Sequence, residues 1–170
     1  MSAALRLTLV RHAKSAWRLG ALDDFHRPLN ARGLRDAVRV PPLLAARLPA
    51  PDLILCSDAV RAVQTCEAIA TAFELDAACV RLQHALYLAD VEGILEVIAG
   101  AGGGARHLMV VGHNPGLTDL YNHLLRPPLD NLPTLAVATL TLEAAHWSAV
   151  TPGCGRIDWL LRPREIPEHG

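Results

Sequence analysis

Short apolar runs alternate with segments of helical periodicity along the first 125 residues, and this alternation constrains the fold more than any other feature. A strand–helix–strand order favours a parallel sheet with helices packed on its faces. Two further apolar runs follow without a helix between them, so we expect a mainly parallel, six-stranded sheet in a three-layer α/β/α sandwich. The predicted strands are Leu5–Val10, Pro51–Cys56, Cys79–Leu82, His107–Val111, Leu135–Leu142 and Ile157–Leu161.

Four helices are predicted between these strands, and the first of them has the clearest start and the least regular interior. Asn30 is a suitable N-cap, and the Pro41-Pro42 pair predicts a kink or a division into two pieces. The apolar face expected to be buried consists of Leu34, Val38, Leu44 and Leu48. The predicted helices are about Ala31–Leu48, Ala59–Phe73, Asp90–Ala99 and Gly116–Leu125.

Two of the helices are expected to start at the same edge of the sheet. Ser57 or Asp58 can cap the second helix, and Asn114-Pro115 predicts an N-cap followed by a proline at the first helical position of the fourth. A helix N-terminus offers free backbone N–H groups and a partial positive charge. We therefore expect both helix starts to face an anion.

Composition excludes several classes of protein. Hydrophobic residues make up 51% of 170 residues, which predicts one ordered domain over residues 1–170, with a polar, frayed tail after Pro163. Lys and Arg number 16 against 17 Asp and Glu, so there is no bulk positive charge to hold nucleic acid or an anionic membrane. The four cysteines show no paired spacing, and no signal peptide is recognisable, which indicates a reduced, cytoplasmic protein. The eight histidines lack metal-ligand spacing, so we expect no metal and no cofactor.

Two histidines and two arginines converge on one edge of the predicted sheet. The first strand ends in Arg11-His12, Arg61 lies just after the second, and His113 follows the fourth. In such sheets ligands bind beyond the carboxyl ends of the strands. The Arg-His dipeptide alone carries little weight, since Arg106-His107 repeats it at the start of a strand, where we expect it to face solvent.

This combination of side chains suits a phosphoryl group. Arginine binds a phosphate dianion through two parallel hydrogen bonds. A neutral imidazole at the floor of the pocket can attack phosphorus in line and divide one hard step into two. Little else is then required beyond positioning and stabilisation of charge. The sequence therefore predicts a site for phosphate or another oxyanion.

Several stretches resemble the signatures of the histidine phosphatase superfamily, whose fold is the phosphoglycerate mutase-like one. The resemblance covers the chain from residue 5 to about 161, in the order and at the spacing of the family. The small size is similar to the phosphohistidine phosphatase (SixA-type) branch. The matching stretches are Arg11-His12-Ala13-Lys14-Ser15, Arg27-Pro28-Leu29-Asn30, Ser57 to Thr65, and Gly112-His113-Asn114-Pro115-Gly116.

The resemblance implies a role for each residue of the central set. His12 would be the nucleophile that becomes phosphohistidine. Arg11, Arg61 and His113 would bind the transferring phosphoryl group, with His113 protonated.

Other site residues follow from the same resemblance or from proximity in sequence. Arg27 matches an additional phosphate-pocket arginine of the small branch, and Asp24 matches its acidic partner. Further candidates, by their position next to the matched residues, are Lys14, Ser57 and Asn114. The chain departs from the usual pattern at Ala13, where glycine is common, and at Asp58, where proline is frequent.

The acid that protonates the leaving group in mutase-like relatives has no clear match, and the available carboxyls are Asp24, Asp90 and Glu92. An alkoxide leaving group benefits from such an acid, whereas imidazole can leave from a P–N bond as a neutral ring. Only about 25 residues separate the third and fourth strands, so no lid is expected over the groove. These features favour phosphohistidine on a protein as substrate.

Three other functions remain open, in different degrees. The first is a general phosphomonoesterase acting on a small metabolite, and the second is a non-catalytic module that binds phosphorylated ligands. A phosphomutase is disfavoured by the missing insertion and the missing acid. Near the groove, Trp17 either contacts substrate or covers the core, and Tyr87 and Leu88 are expected mainly to pack in the core.

Overall fold

A six-stranded sheet forms the centre of the structure, a computed structural model that describes residues 4–17, 20 and 22–167. Its strands are β1 (Leu5–Arg11), β2 (Leu53–Cys56), β3 (Val80–Leu82), β4 (His107–Gly112), β5 (Val137–Leu142) and β6 (Gly155–Leu161). They are arranged in the order β3-β2-β4-β1-β5-β6. The first four strands run parallel, and β5 runs antiparallel to both β1 and β6. The sheet is therefore mainly parallel, as the sequence predicts.

Helices cover both faces of this sheet. They are α1 (Ala31–Arg47), α2 (Val60–Ala72), α3 (Val91–Ala101) and α4 (Gly116–Leu124). Neighbouring residues of β2 belong to different core clusters, because successive side chains of a strand point to opposite faces. Leu55 packs in a cluster with residues of α3 and α4, whereas Ile54 packs in a cluster with residues of α1 and α2. The predicted three-layer α/β/α sandwich is confirmed.

The buried face of α1 differs from the predicted one. Leu34 and Val38 are 51% and 75% exposed, while Val40 and Leu44 are fully buried. The rotation of the helix is set at its first turn, where Gly33 lies so close to the backbone carbonyl of Lys14 that a side chain has no room. Apolar periodicity does not report such a backbone contact, so the stripe chosen from the sequence was wrong in its first half.

The two prolines of α1 do not divide it. The helix runs as one element from Ala31 to Arg47, with Pro41 buried and Pro42 exposed. Prolines at these positions remove the donors to the carbonyls of Ala37 and Val38, and their rings crowd the same two carbonyls. The remaining hydrogen bonds of a helix of 17 residues keep the element continuous.

The positions of His107 and of the C-terminal segment also differ from those expected from the sequence. The side chain of His107 is buried and its Nε2 lies 2.8 Å from the hydroxyl of Thr8, so it does not face solvent as expected. The tail is ordered just past β6, where Pro163–Glu165 forms a 3₁₀ turn with Pro163 buried. The rest of the predicted tail, residues 168–170, lies outside the described part of the chain.

Five strands, β1 to β4 and β6, end at the edge of the sheet that carries the predicted site. β1, β2 and β4 are parallel, and β6 has the same direction as β1 because β5 is antiparallel to both. Arg11 therefore lies at the same edge as Gly112 and Leu161.

Among the described residues, no helix is long and apolar enough to cross a membrane.

Candidate active site

A cleft of about 280 Å³ opens at this edge of the sheet, and it collects almost all of the predicted site residues. Ser57 does not line the cleft but lies behind it, in contact with His113. Four other residues line the cleft. Trp17 is one for which the sequence leaves contact with substrate as an open alternative, Leu88 is expected from the sequence mainly to pack in the core, and the sequence assigns no role to Ser15 and Thr134. The predicted residues that line the cleft are Arg11, His12, Lys14, Asp24, Arg27, Arg61, His113 and Asn114.

His12 lies at the floor of the cleft, directly after β1, and its imidazole has a defined tautomer. Nδ1 lies 2.7 Å from the backbone carbonyl of Ala13, which can only accept, so Nδ1 carries the hydrogen. Nε2 is then the unprotonated nitrogen, and Arg61 Nε donates to it at 3.3 Å. Burial lowers the pKa of His12 to about 3, and the charges of neighbouring cations act in the same direction. His12 therefore presents a neutral lone pair at pH 7.

Thr65 fixes the backbone that follows His12. Its hydroxyl accepts from Ala13 N at 3.0 Å and donates to the carbonyl of Arg61 at 2.8 Å. The bond joins the loop after β1 to the first turns of α2. His12 and Arg61, which are 49 residues apart in sequence, are held in register by this contact.

Arg61 is a buried guanidinium on α2, with a side chain that is only 2% exposed. Beyond its bond to His12, it donates from Nη1 to the backbone carbonyl of Asp24 at 2.6 Å and from Nη2 to Asp24 Oδ2 at 2.9 Å. A buried cation needs such partners to offset its loss of hydration. Asp24 thus holds the plane of the guanidinium that touches the imidazole.

Asp24 also organises the second arginine of the loop. Arg27 donates from Nε and Nη2 to Asp24 Oδ1, at 3.2 and 2.7 Å, and from Nη1 to Ser15 Oγ at 2.8 Å. Partial burial raises the pKa of Asp24, but hydrogen bonds from Tyr87, Arg27 and Arg61 outweigh it and keep the pKa well below the usual range. Asp24 is therefore ionised and cannot serve as a proton donor at neutral pH.

Tyr87 belongs to the site rather than to the core, contrary to the expectation from sequence. Its hydroxyl donates to Asp24 Oδ2, and its ring lies edge-on to His113, with centroids 5.5 Å apart. Leu88 next to it is 55% exposed, lines the cleft and has a φ of 50°. A left-handed conformation at a leucine costs energy. It turns the chain sharply just after Tyr87.

His113 completes the floor of the cleft, 5.2 Å from His12 between ring centroids. Its Nε2 lies 2.7 Å from Ser57 Oγ, and that oxygen also accepts from Ala59 N at 3.3 Å. Burial and the charge of Arg61 lower the pKa of His113 to about 4. The protonated state implied by the family resemblance is therefore not the state of the free protein at pH 7.

The two helix starts are arranged differently from the prediction. Pro115, not Asn114, precedes the first residue of α4, and the peptide bond between them is cis. The Asn114 side chain instead accepts from Thr118 N at 3.2 Å and donates to Leu132 O at 2.9 Å. It therefore ties α4 to the loop before β5.

The second helix has no side-chain cap from either predicted residue. Ala59 precedes α2 without a side-chain hydrogen bond, and Val60 N donates to the carbonyl of Phe25 at 3.1 Å. Asp58 lies 3.0 Å from Nδ1 of His84. The dipole of α2 still points toward the cleft, but the Val60 amide is occupied by protein.

Two buried nitrogens of the cleft have no protein partner among the described residues. They are Arg11 Nε and His113 Nδ1, and Arg11 itself is held through Nη1 by the carbonyl of Leu132 at 2.8 Å. A buried polar nitrogen without a hydrogen bond is costly. The cleft also carries four cationic side chains against one carboxylate. This chemistry fits an oxyanion, whereas no cluster of three or more His, Cys, Asp or Glu suited to a metal occurs in the described ranges.

Known proteins are similar to this chain in both sequence and fold. Residues 7–86 match the model of the histidine phosphatase superfamily (branch 1). An uncharacterized protein of Mycobacterium tuberculosis is 36% identical over 165 residues, covering 91% of this chain and all of that protein. A putative phosphohistidine phosphatase SixA from Agrobacterium tumefaciens is 31% identical with a TM-score of 0.77, over 94% of this chain and 99% of that one. The chain belongs to the histidine phosphatase superfamily. It is therefore a phosphatase.

A further solved structure shares the fold of this histidine phosphatase. The protein histidine phosphatase SixA complexed with tungstate superposes with a TM-score of 0.78, over 95% of this chain and 99% of that one, at 22% identity. Within this phosphatase, the departures from the usual family pattern are accommodated. Ala13 is fully buried without disturbing the loop, and the carboxylate of Asp58 pairs with His84 and does not line the cleft.

Proposed function

We propose that this phosphatase removes the phosphoryl group from phosphohistidine on a protein, with His12 as the nucleophile. The observation that carries the proposal is the tautomer of His12. Nδ1–H is held by the Ala13 carbonyl, so Nε2 carries the lone pair, which accepts from Arg61 Nε in the free protein and becomes free to attack when that donor turns to a phosphoryl oxygen. An imidazole held in this way needs no general base to become nucleophilic.

The reaction balances in two steps. The Nε2 lone pair of His12 attacks phosphorus as the substrate P–N bond breaks. The leaving imidazole keeps the bonding electron pair and is neutral, because its other ring nitrogen carries a hydrogen. Water then attacks phospho-His12, the P–Nε2 bond breaks and returns its electron pair to Nε2, and the proton lost by the water passes with the phosphate to solvent. Arg11, Arg61 and Arg27 stabilise the equatorial oxygens, and His113 Nδ1 binds one of them.

The remaining candidate residues have supporting roles in this proposal. Lys14 adds positive charge at the rim of the cleft, where it is half-buried. Ser57 orients His113, and Asn114 orients the loop that holds Arg11. The phosphoryl dianion raises the pKa of His113 when it binds, because the negative charge offsets the nearby arginines.

The carboxyl groups support a P–N substrate over a phosphate ester. Among the described residues, Asp24 is the one carboxyl group that lines the cleft, and hydrogen bonds from three side chains, Tyr87, Arg27 and Arg61, keep it ionised. Asp90 caps α3 by accepting from Gly93 N at 2.9 Å, and Glu92 is exposed. Neither of these lines the cleft. An alkoxide would leave without a proton donor, whereas imidazole leaves as a neutral base.

The experiment compares phosphate release from a phosphohistidine peptide and from p-nitrophenyl phosphate, with wild type and His12→Ala. Faster cleavage of the peptide, with both activities lost in the variant, is expected. Faster cleavage of the ester would establish a small-ester phosphatase instead. If His12→Ala keeps more than a tenth of the activity, His12 is not the nucleophile.

A further inference from the structure

A basic groove of about 1070 Å³ lies between α1 and the segment that follows β6. We call it the arginine groove, defined by the guanidinium side chains of Arg32, Arg35, Arg39 and Arg164. Three of these arginines lie on α1, and the fourth lies in the 3₁₀ turn at Pro163–Glu165. The groove is separate from the catalytic cleft and shares no lining residue with it.

The charge in this groove is only partly neutralised. Asp36 is the one carboxylate that lines it within the described chain, and it is almost fully buried. Its oxygens lie 3.9 Å from Arg32 Nε and 3.3 Å from Arg39 Nη2. The other two arginines, Arg35 and Arg164, are exposed and have no ion-pair partner among the residues described. Since the whole chain has a net charge of −1, this excess is local and not a consequence of composition.

The groove lies at the catalytic edge of the sheet. Val10 pairs with Val137, and Val137 pairs with Leu161, the last residue of β6. Two strand spacings, or roughly 10 Å, therefore separate the end of β6 from the strand that leads into the nucleophile. At the other side of the groove, α1 begins against the backbone of Lys14, which lines the cleft. The groove therefore lies next to the surface that a protein meets when it presents a phosphorylated side chain to His12.

We propose that the arginine groove binds an acidic segment of the phosphorylated partner protein. The inference rests on the proposed function and names the chemistry of its substrate. Arg32 and Arg39 are separated by about 10 Å along the helix axis. An extended segment of three to four residues spans that distance at about 3.3 Å per residue. Carboxylates at such a surface increase the association rate and the selectivity more than they increase the strength of the final complex.

The test uses two phosphohistidine peptides that differ only in a flank of four residues, all Glu or all Gln. Wild type is compared with Arg35→Glu/Arg164→Glu and with the control Arg81→Glu/Arg106→Glu, which reverses two exposed arginines of another surface pocket. We expect wild type and the control to show a KM five- to tenfold lower for the Glu peptide. The groove variant loses that preference but keeps its kcat and its rate on p-nitrophenyl phosphate.

A second measurement does not depend on turnover. Anisotropy of the fluorescein-labelled Glu peptide without phosphate reports binding directly, and 0.5 M NaCl should abolish it, since salt screens exposed charges. Equal KM values for the two peptides in wild type would overturn the inference, and so would an unchanged preference in the groove variant. Tighter binding of an RNA oligonucleotide or an anionic vesicle than of the Glu peptide would overturn it too.

The results differ if this phosphatase does not act on phosphohistidine. Neither phosphohistidine peptide would then be cleaved, while p-nitrophenyl phosphate still is. In that case, fluorescence anisotropy of the Glu peptide still tests whether the arginine groove binds an acidic segment. Binding that is lost in Arg35→Glu/Arg164→Glu and kept in the control supports the inference. No binding to wild type overturns it.

Discussion

Asp24 and Arg61 form an ion pair across the catalytic cleft, with Arg61 Nη2 2.9 Å from Asp24 Oδ2. The pair joins a guanidinium that is 2% exposed to a carboxylate that is 44% exposed. The same guanidinium donates to His12 Nε2, and the same carboxylate binds Arg27. Asp24 is therefore the residue through which the two arginines are oriented together, although it lies in a loop and not on the sheet.

Replacing Asp24 by Asn should lower kcat/KM by about tenfold, because a charge-assisted hydrogen bond contributes roughly 1.5–3 kcal/mol and part of it is retained. Steady-state kinetics on p-nitrophenyl phosphate measures the effect. The matched control is Asp23→Asn, since Asp23 pairs with the exposed His26 at 2.7 Å and, among the described residues, with no other side chain. Equal activity of the two variants, or a gain in Asp24→Asn, would contradict the orienting role.

Replacing Arg61 by Ala should reduce kcat by about 10²–10³-fold, the usual cost of losing one preorganised donor to the transition state. Arg61→Lys keeps the positive charge but loses the planar guanidinium with its several fixed donors, so we expect a loss of kcat smaller than that in Arg61→Ala. Circular dichroism of both variants separates catalysis from folding. A loss of tenfold or less in Arg61→Ala would place this residue outside the phosphoryl step.

The pH profile should lack a break near pH 6.5, where an ordinary histidine titrates. Burial lowers the pKa of His12 to about 3 and that of His113 to about 4. The reactive lone pair of His12 is protonated only below its pKa, so kcat/KM should stay level between pH 5 and 7.5 and fall at lower pH. The profile is corrected for ionisation of the substrate phosphate, measured separately. A midpoint near 6.5 that belongs to the enzyme would contradict this assignment.

The free energy of unfolding should decrease in acid because of His107, a buried histidine that lies outside the cleft. Burial lowers its pKa to about 4, with the charge of Arg6 acting in the same direction. The unfolded chain therefore binds a proton near pH 6.5 that the folded chain does not, and stability is lost as the pH falls below that value. This single group contributes a loss of about 2 kcal/mol between pH 7 and 5. In His107→Gln, urea unfolding at the two pH values should show a smaller difference.

The matched control for that measurement is His146→Gln, at an exposed position. It should leave the pH dependence of the unfolding free energy as in wild type. If His107→Gln behaves in the same way as His146→Gln, the buried histidine is not the source of the acid sensitivity.

Chelation should leave the phosphatase activity unchanged. The cleft supplies cationic side chains where a metal would otherwise neutralise the phosphoryl oxygens, and its one described carboxylate is bound by two arginines. The measurement is the rate on p-nitrophenyl phosphate before and after dialysis against EDTA. Recovery of a lost rate on adding a divalent cation would show that a metal takes part.

Residues that follow the strands could be placed from the sequence alone. His12 and His113 come directly after the buried strands β1 and β4, and the ends of parallel neighbours meet at one edge of a sheet. The pattern of short apolar runs was sufficient to predict that meeting. Arg61 followed from the same reasoning, because it lies in the first turn of the helix after β2.

Residues whose position depends on a single loop contact were not predictable in this way. Tyr87 reaches the site because the chain turns at Leu88, where a leucine adopts a positive φ that no residue preference indicates. His107 is buried through a hydrogen bond with Thr8 on the neighbouring strand. The buried face of α1 depends on the approach of Gly33 to a backbone carbonyl. These are tertiary contacts, and the local periodicity of the sequence does not contain them.

The carbonyl of Ala13 also determines which isomer of phosphohistidine can form on the enzyme. With Nδ1–H engaged in that bond at 2.7 Å, only Nε2 of His12 is open to phosphorus. The proposed covalent intermediate is therefore the τ isomer, phosphorylated on the ring nitrogen farther from the backbone, because Nδ1 carries a hydrogen and has no lone pair with which to form the π isomer. In a trapped phosphoenzyme, the ³¹P and imidazole proton NMR spectra should show that the phosphoryl group is on Nε2.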